Sequence, residues 1–524
     1  MSKQFDLDDS HVVVIVGSGA GGGTLANELA QKGVDVVVLE AGKRFTFDDI
    51  ENDEWAMFKK ISWLDKRITA GNRRLAKDFP NLPAWIVKGV GGSTIHWAGV
   101  ALRFQQHEFR MRTLNGNLAG ANYLDWPISY QDLAPYYKRA ELKMGVTGPT
   151  TGMPYHQWNN DFKVLATGAK RIGYKKIQSG PMAINTKPRD GRPACMQIGF
   201  CMQGCKIGAK WSTMYTEIPK AEATGRVEVR PNAMALKIEH DQSGKVTGVL
   251  YADEHGNHQF QKARVVCVAG NSIESPRLLL NSASSMFPDG LANSSGQVGR
   301  NYMCHTTAGV YAIMPKPVYM YRGTTVAGIV SDEAHNDTSR GFVAGYSLEV
   351  LSLGLPFMAA FINPGAWGRD VTSALDQYDH MAGVWICGED VPRETNRITL
   401  HATEKDQYGL PVPVVFKEYH ANDNKLLDHA YGQMKKIYEA CGSKRVIDLP
   451  SYPASHNMGT NRMSEKSRDG VVNKWGQAHD VKNLFVSDGS QFTTSGAENP
   501  TLTIVALAIR QAEYIADAMR RREI

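Results

Sequence analysis

Residues 11–22, HVVVIVGSGAGG, decide how the rest of the chain is read. The β-branched run from His11 to Val16 has the composition of a buried strand, and it meets Gly17, Gly19 and Gly22 at once. Residues 24–32 then set Leu25 and Leu29 one turn apart on a helix face, and residues 34–39 form a second strand ending at Glu40. A strand, G-x-G-x-x-G, a helix, a strand and an acid in this order form a dinucleotide site. Gly17 permits the tight turn, Gly19 lets backbone approach a pyrophosphate, and Gly22 lets helix and strand pack closely. The helix N-terminus offers free N–H groups to the phosphates. Glu40, 23 residues after Gly17, is placed to accept hydrogen bonds from ribose hydroxyls.

At 524 residues the chain exceeds one compact core, so two or three domains are expected. Hydrophobic residues at 42% and charged residues at 21% describe a globular protein. The net charge of +6 comes without a basic run or an aromatic-basic stripe, which argues against a nucleic-acid partner. Residues 1–10 are polar and acidic, unlike a secretory signal. The most apolar stretch, residues 350–363, is broken by Pro356 and is shorter than the roughly 20 residues a membrane span needs. The chain is expected to carry no membrane span of its own.

Cys267, Cys304, Cys387 and Cys441 are dispersed and read as ordinary thiols. Cys195, Cys201 and Cys205 instead crowd one loop, PACMQIGFCMQGCKIGAKW, residues 193–211. A zinc site would want paired C-x-x-C knuckles and a fourth ligand, and three unpaired thiols are the remaining alternative. An iron–sulfur cluster on three thiolates is the favoured reading. Such a cluster passes single electrons. A flavin takes a hydride and releases electrons one at a time, so FAD suits the pair better than a nicotinamide.

Further motifs run along nearly the whole chain: LEAG at 39–42, GVGGSTIHWAG at 89–99 and NSIESPRLLLNS at 271–282. SHNMGTNRM at 455–463, NLFVSDGSQF at 483–492 and ENPTLTIVALA at 498–508 follow. Together these resemble the glucose–methanol–choline (GMC) oxidoreductase family, with Asn271 standing where Gly or Ser is usual. The cysteine loop is similar to that of the catalytic flavoprotein subunits of bacterial FAD-dependent glucose, fructose, gluconate and 2-ketogluconate dehydrogenases. In that subgroup the loop holds a three-iron, four-sulfur (3Fe-4S) cluster, which implies Cys195, Cys201 and Cys205 as its ligands.

The resemblance implies an α/β fold in which a Rossmann-like FAD domain is interleaved with a substrate domain of antiparallel sheet and helices. The FAD domain is expected over 1–303, with the cysteine loop at 190–212 and a lid-like segment at 49–83. The substrate domain is expected mainly over 304–449, and residues 450–524 return to the FAD domain. Strands over 309–320 and 341–351 and an amphipathic helix over 425–441 are consistent with this.

By the same resemblance His456 is the base that takes the O–H proton as a hydride passes to flavin N5. Asn499 fills the second catalytic position, although as the residue before Pro500 it would also serve as a helix N-cap. Pro500 and Thr501 open a helix over 501–520 whose positive end would face the flavin. Gly91, Gly92 and Ser93 let backbone approach the isoalloxazine, His96 packs or hydrogen-bonds near it, and Asp488 lies by the ribityl chain. His305 follows Cys304 where the family has Asp, so no role is assigned to it.

The expected activity is oxidation of an alcohol group of a sugar or sugar acid, with electrons leaving to a cytochrome c or quinone. An O2-using oxidase or an electron-transfer flavoprotein is the alternative. A cytochrome c subunit and a small export or chaperone subunit are the expected partners. They would place the enzyme on the periplasmic side of the inner membrane, with the cytoplasm as the alternative. Lys206 and Lys210, beside the cysteines, are expected either to meet an acidic partner face or to be a simply solvated pair.

Overall fold

Val13–Val16 is the middle strand of a five-stranded parallel sheet, ordered Leu484–Val486, Val265–Val268, Val13–Val16, Val36–Leu39 and Val227–Arg230. The computed structural model describes residues 4–54, 56, 69–70, 84, 86–355, 358, 362, 367–451 and 455–524. The strand order reverses at Val13–Val16, which opens a crevice at the carboxyl ends of the strands where Gly17 sits. Alternate residues of the central strand serve two cores. Val13 and Ile15 join Leu25, Leu29, Ala508, Ala512 and Ile515 on the helical side. Val12 and Val14 join Ile238, Val249 and Tyr251 of a three-stranded meander on the other. Burial on both faces explains the unbroken valine run.

Helix Ala20–Ala30 starts four residues before the expected 24, taking in Gly21, Gly22 and Gly23. Glycine weakens a helix by about 1 kcal/mol relative to alanine, but nothing larger fits here. A Cβ on Gly21 would lie 1.6 Å from the Ser487 carbonyl oxygen, and one on Gly22 would lie 2.0 Å from that of Gly17. Helix Thr501–Arg520 packs across this glycine face.

The second body is a six-stranded antiparallel sheet ordered Arg445–Leu449, Gly309–Ile313, Met381–Gly388, Tyr346–Val350, Gly328–Val330 and Ile177–Ser179. The strand expected over 309–320 stops at Ile313, because Pro315 and Pro317 lack the N–H that a ladder requires. The strand expected over 341–351 is confined to Tyr346–Val350. The helix expected over 425–441 begins earlier, at Ala421, where His420 and Asp423 cap it reciprocally. Strand Ile177–Ser179 and helix Asn160–Arg171 join this body from outside 304–449.

Of the expected lid at 49–83, residues 55, 57–68 and 71–83 lie outside the described residues. Most of 356–366 does as well. No helix among the described residues is long and apolar enough to cross a membrane. All seven cysteines are free thiols.

Candidate active site

The crevice deepens into a cavity of about 2230 Å³, counting its open mouth, that runs from Gly17 and Glu40 to His456 and Asn499 between the two bodies. At the glycine end Gly17 takes a φ of 101°, a left-handed conformation that disfavours any side chain. Ser18 donates from its N–H and its hydroxyl to Glu40 Oε2 at 3.1 and 2.7 Å, and Gly42 N–H donates to Oε1 at 2.9 Å. Burial pushes the Glu40 carboxyl up, while the Ser18 hydrogen bond pulls it down. Ser18 Oγ also accepts from Gly91 N–H at 3.0 Å, and a Cβ on Gly92 would lie 2.8 Å from Gly19 Cα. The two glycine motifs therefore close directly on each other. Gly19, Gly92, Ser93 and His96 line the cavity, whereas Gly22 and Gly91 stand behind its wall. Ser18, the joint between the motifs, was missed in the sequence.

Asp488 lines the cavity further along. Its carboxyl accepts from Asn271 N–H at 2.9 Å and Ser490 N–H at 2.8 Å, and from the Ser275 hydroxyl. Burial raises its pKa. Asn271 has φ 78°, a left-handed turn that Asn tolerates better than most residues. That explains why Asn can stand where Gly is usual.

At the far end His456 is pinned by its neighbour Asn457, which accepts from Tyr302 Oη and Ser272 Oγ. His456 Nδ1 lies 2.7 Å from His305 Nδ1, and His305 Nε2 lies 3.0 Å from the Ser495 carbonyl. Cys387 Sγ is 3.2 Å from His305 Nδ1. Burial lowers His305 to about 4, and burial with the facing His305 holds His456 well below the usual 6.5. His305, given no role by its sequence context, is the direct partner of the expected base.

Asn499 does not cap the following helix. Pro500 occupies the N-cap position of Thr501–Arg520 with no side-chain cap. Instead Asn499 Nδ2 donates to Glu349 Oε2 at 3.5 Å. Pro500, Thr501 and Ile504 line the cavity, so the helix start faces it. Glu349, opposite Trp385 in the sheet, also lines the cavity, and burial pushes its carboxyl up to about 8. One glutamate inside an apolar strand gave no signal in the sequence.

The cysteine loop abuts this cavity through Met202, whose carbonyl lies 3.0 Å from His96 Nδ1. Cys195 and Cys201 both pack against Val100, Met182, Ile184, Val326 and Ile329. Burial pushes the Cys195 thiol up to about 11, with Cys201 and Cys205 adding to the shift. Among the described residues the group whose ligand atoms all fall within 4.8 Å is His305, Cys387 and His456, not the three loop cysteines. A single zinc ion with sulfur at about 2.3 Å would need the loop thiols closer together. Met196 and Ile198, 67% and 47% exposed, carry the loop surface, and Lys206 is exposed beside them. Lys210 is not a docking residue. It is 1% exposed, and its ammonium donates to the carbonyls of Ile95, Trp97 and Cys201.

Residues 5–307 and 392–508 match the amino- and carboxy-terminal parts of the GMC oxidoreductase family. This chain belongs to the GMC oxidoreductase family. It is accordingly an FAD-dependent oxidoreductase acting on CH–OH groups of alcohols or sugars. A 2-methyl-1,2-propanediol dehydrogenase from Mycolicibacterium austroafricanum is 35% identical over 97% of this chain and 95% of its own. The fructose dehydrogenase large subunit of Gluconobacter japonicus is 30% identical over 97% and 98%. Formate oxidase from Aspergillus oryzae shares the GMC fold at a TM-score of 0.70 and 15% identity, over 98% of this chain and 99% of its own.

Proposed function

We propose that this GMC protein is a dehydrogenase that oxidises an alcohol group of a sugar, sugar acid or related polyol with His456 as base. Electrons would leave through a 3Fe-4S cluster on Cys195, Cys201 and Cys205 to a cytochrome c or quinone. The observation that carries the first part is the chain of contacts from Ser495 through His305 to His456. A carbonyl only accepts, so His305 carries its proton on Nε2 and its Nδ1 is an acceptor. His456 must then donate from Nδ1, which leaves a lone pair on Nε2. Burial keeps both rings neutral near pH 7.

The residues present suit FAD: the glycine wall and Glu40 at one end, Asp488 midway, and a helix start at the other. Bound FAD supplies the acceptor for the hydride leaving the carbinol carbon. His456 Nε2 takes the hydroxyl proton, and Asn499 and the neutral Glu349 carboxyl hold substrate oxygens beside it. The fixed positive end of helix Thr501–Arg520 favours negative charge at its mouth.

For the cluster, support comes from the loop itself: three thiols, spacing too wide for one ion, a backbone contact to cavity-lining His96, and exposed Met196 and Ile198 as a face for an acceptor. The similarity to a protein named as a large subunit supports a partnered enzyme. A small export subunit and a position on the periplasmic side of the inner membrane follow from that reading, and fractionation of cells expressing the chain with and without its neighbouring genes tests them.

The deciding experiment mixes purified enzyme anaerobically with sugars, sugar acids and 1,2-diols and follows flavin bleaching. One class should bleach it within seconds, and turnover with ferricyanide or a quinone should exceed turnover with O2. Bleaching by none of them, or faster turnover with O2, overturns the reading.

A further inference from the structure

Lys210 and Arg192 are buried cations beside the three thiols, and among the described residues neither forms an ion pair with an acid. Lys210 spends its donors on three carbonyls: Ile95 at 3.0 Å, Trp97 and Cys201. Arg192, 7% exposed, donates only through Nη1, to Gly208 and Ala209 carbonyls at 3.1 and 3.2 Å. Its Nε and Nη2 are buried without a partner. Charges taken out of water are costly unless an opposite charge answers them. Arg192 feels Asp190 first and then Cys205 and Glu217, whereas for Lys210 the groups that act are sulfur alone, Cys201 and Cys205. The loop is thus electrostatically built around an anionic group, as an iron–sulfur cluster on thiolates is. Neutral thiols would leave Lys210 without an opposite charge.

Lys210 also has a position that Arg192 lacks. Ile95 and Trp97 flank His96 in the cavity wall, and Cys201 is a cysteine of the loop, so one ammonium clamps cavity edge and loop together. We propose that Lys210 sets the reduction potential of the cluster, raising it so that electrons pass readily from reduced FAD to the loop. The inference rests on the cluster reading above. Reduction adds one electron and therefore one negative charge, with no covalent bond made or broken and no proton required. The electron is one of the pair removed from the carbinol, and the second follows once the first has left to the acceptor. A fixed cation in a poorly screened interior stabilises the more negative state. Lys210 N–H lies 3.5 Å from Cys205 Sγ, a backbone contact that side-chain variants leave in place.

The test is an EPR-monitored redox titration of the holoenzyme for wild type, Lys210→Met and Lys210→Arg. In Lys210→Met the oxidised-to-reduced ratio at a fixed potential should rise at least tenfold, which is about 59 mV for one electron. Lys210→Arg should stay near wild type. If Lys210→Met does not retain iron, Lys210→Gln, which keeps a donor without the charge, serves for the same comparison. Normal FAD content and anaerobic bleaching confirm that each variant is folded. Iron-replete neutral variants with an unchanged midpoint overturn the role of Lys210 and leave the cluster standing. Loss of iron from all three variants makes the residue structural and also overturns it. A wild-type enzyme without iron removes the cluster reading itself.

Discussion

His305 and His456 face each other Nδ1 to Nδ1 at 2.7 Å, and the Ser495 carbonyl at 3.0 Å fixes which nitrogen of the pair holds each proton. His456→Ala should bind FAD but lose roughly 10²–10⁴-fold in anaerobic flavin reduction, the usual contribution of a general base. His305→Ala removes the acceptor that holds the His456 proton on Nδ1. It should cost on the order of 10²-fold in the same step through misplacement of the base. Stopped-flow reduction near the wild-type rate in His305→Ala would make the pairing irrelevant to the chemistry.

The same pair predicts a pH profile. His456 is held below 6.5 by burial and by His305, so its neutral form persists into mild acid. The rate of flavin reduction should stay level from pH 7 to below 6.5, fall beneath that as His456 is protonated, and decline again towards pH 8 as Glu349 ionises. An acid limb centred at or above 6.5 would contradict it.

Asp161 predicts a stability profile of the opposite sign. It is fully buried and its pKa is raised to about 8, against about 4 in an unfolded chain. A folded pKa above the unfolded one means the carboxyl is tolerated in acid and becomes a liability as pH rises towards 8. The slope is about 1.4 kcal/mol per pH unit. The Gly383 N–H and Ser352 hydroxyl on its two oxygens are compatible with an amide. Thermal melts should therefore show Asp161→Asn gaining on wild type between pH 6 and 8, and parallel curves would refute this.

Cys201→Ser should abolish iron in the purified protein and slow turnover with a cytochrome c or quinone, while anaerobic bleaching by substrate survives. Zinc without iron, in protein prepared anaerobically with ample iron, would refute the cluster.

Gly21→Ala should cost about 1–3 kcal/mol or more, because its Cβ would meet the Ser487 carbonyl, which the parallel sheet holds fixed. Gly432→Ala is the control: it lies in helix Ala421–Ala440 with nothing within 4 Å, and should gain about 1 kcal/mol. Melting temperatures of the two variants compare the effects directly.

What could be read in the sequence was local. The dinucleotide unit lies within 30 residues, so its glycines, strands and acid declared themselves together. His305 did not, because its partner is 151 residues away and the preceding Cys304 broke the expected pattern. Lys210 was misread because a lysine outside a motif is normally solvated, and only the fold supplies its three carbonyls. Whether Asn499 caps the helix was not readable locally, and the fold gives the cap position to Pro500. Glu349 needed the sheet register to bring it to Asn499.

The strand order has a consequence for biosynthesis. The parallel sheet is closed at one edge by Leu484–Val486, and its helical face is covered by Thr501–Arg520. A ribosome that has finished Val13–Val16 must add several hundred residues before those pieces exist, roughly half a minute or more at 5–20 residues per second. Until then strand Val265–Val268, which pairs with Val13–Val16, has no outer neighbour, and the Gly21 face has no carbonyl to pack against. The nascent amino-terminal half therefore keeps Leu25 and Leu29 uncovered on the side that Ala508, Ala512 and Ile515 will later occupy. Cofactor loading can be completed only after the last helix has docked.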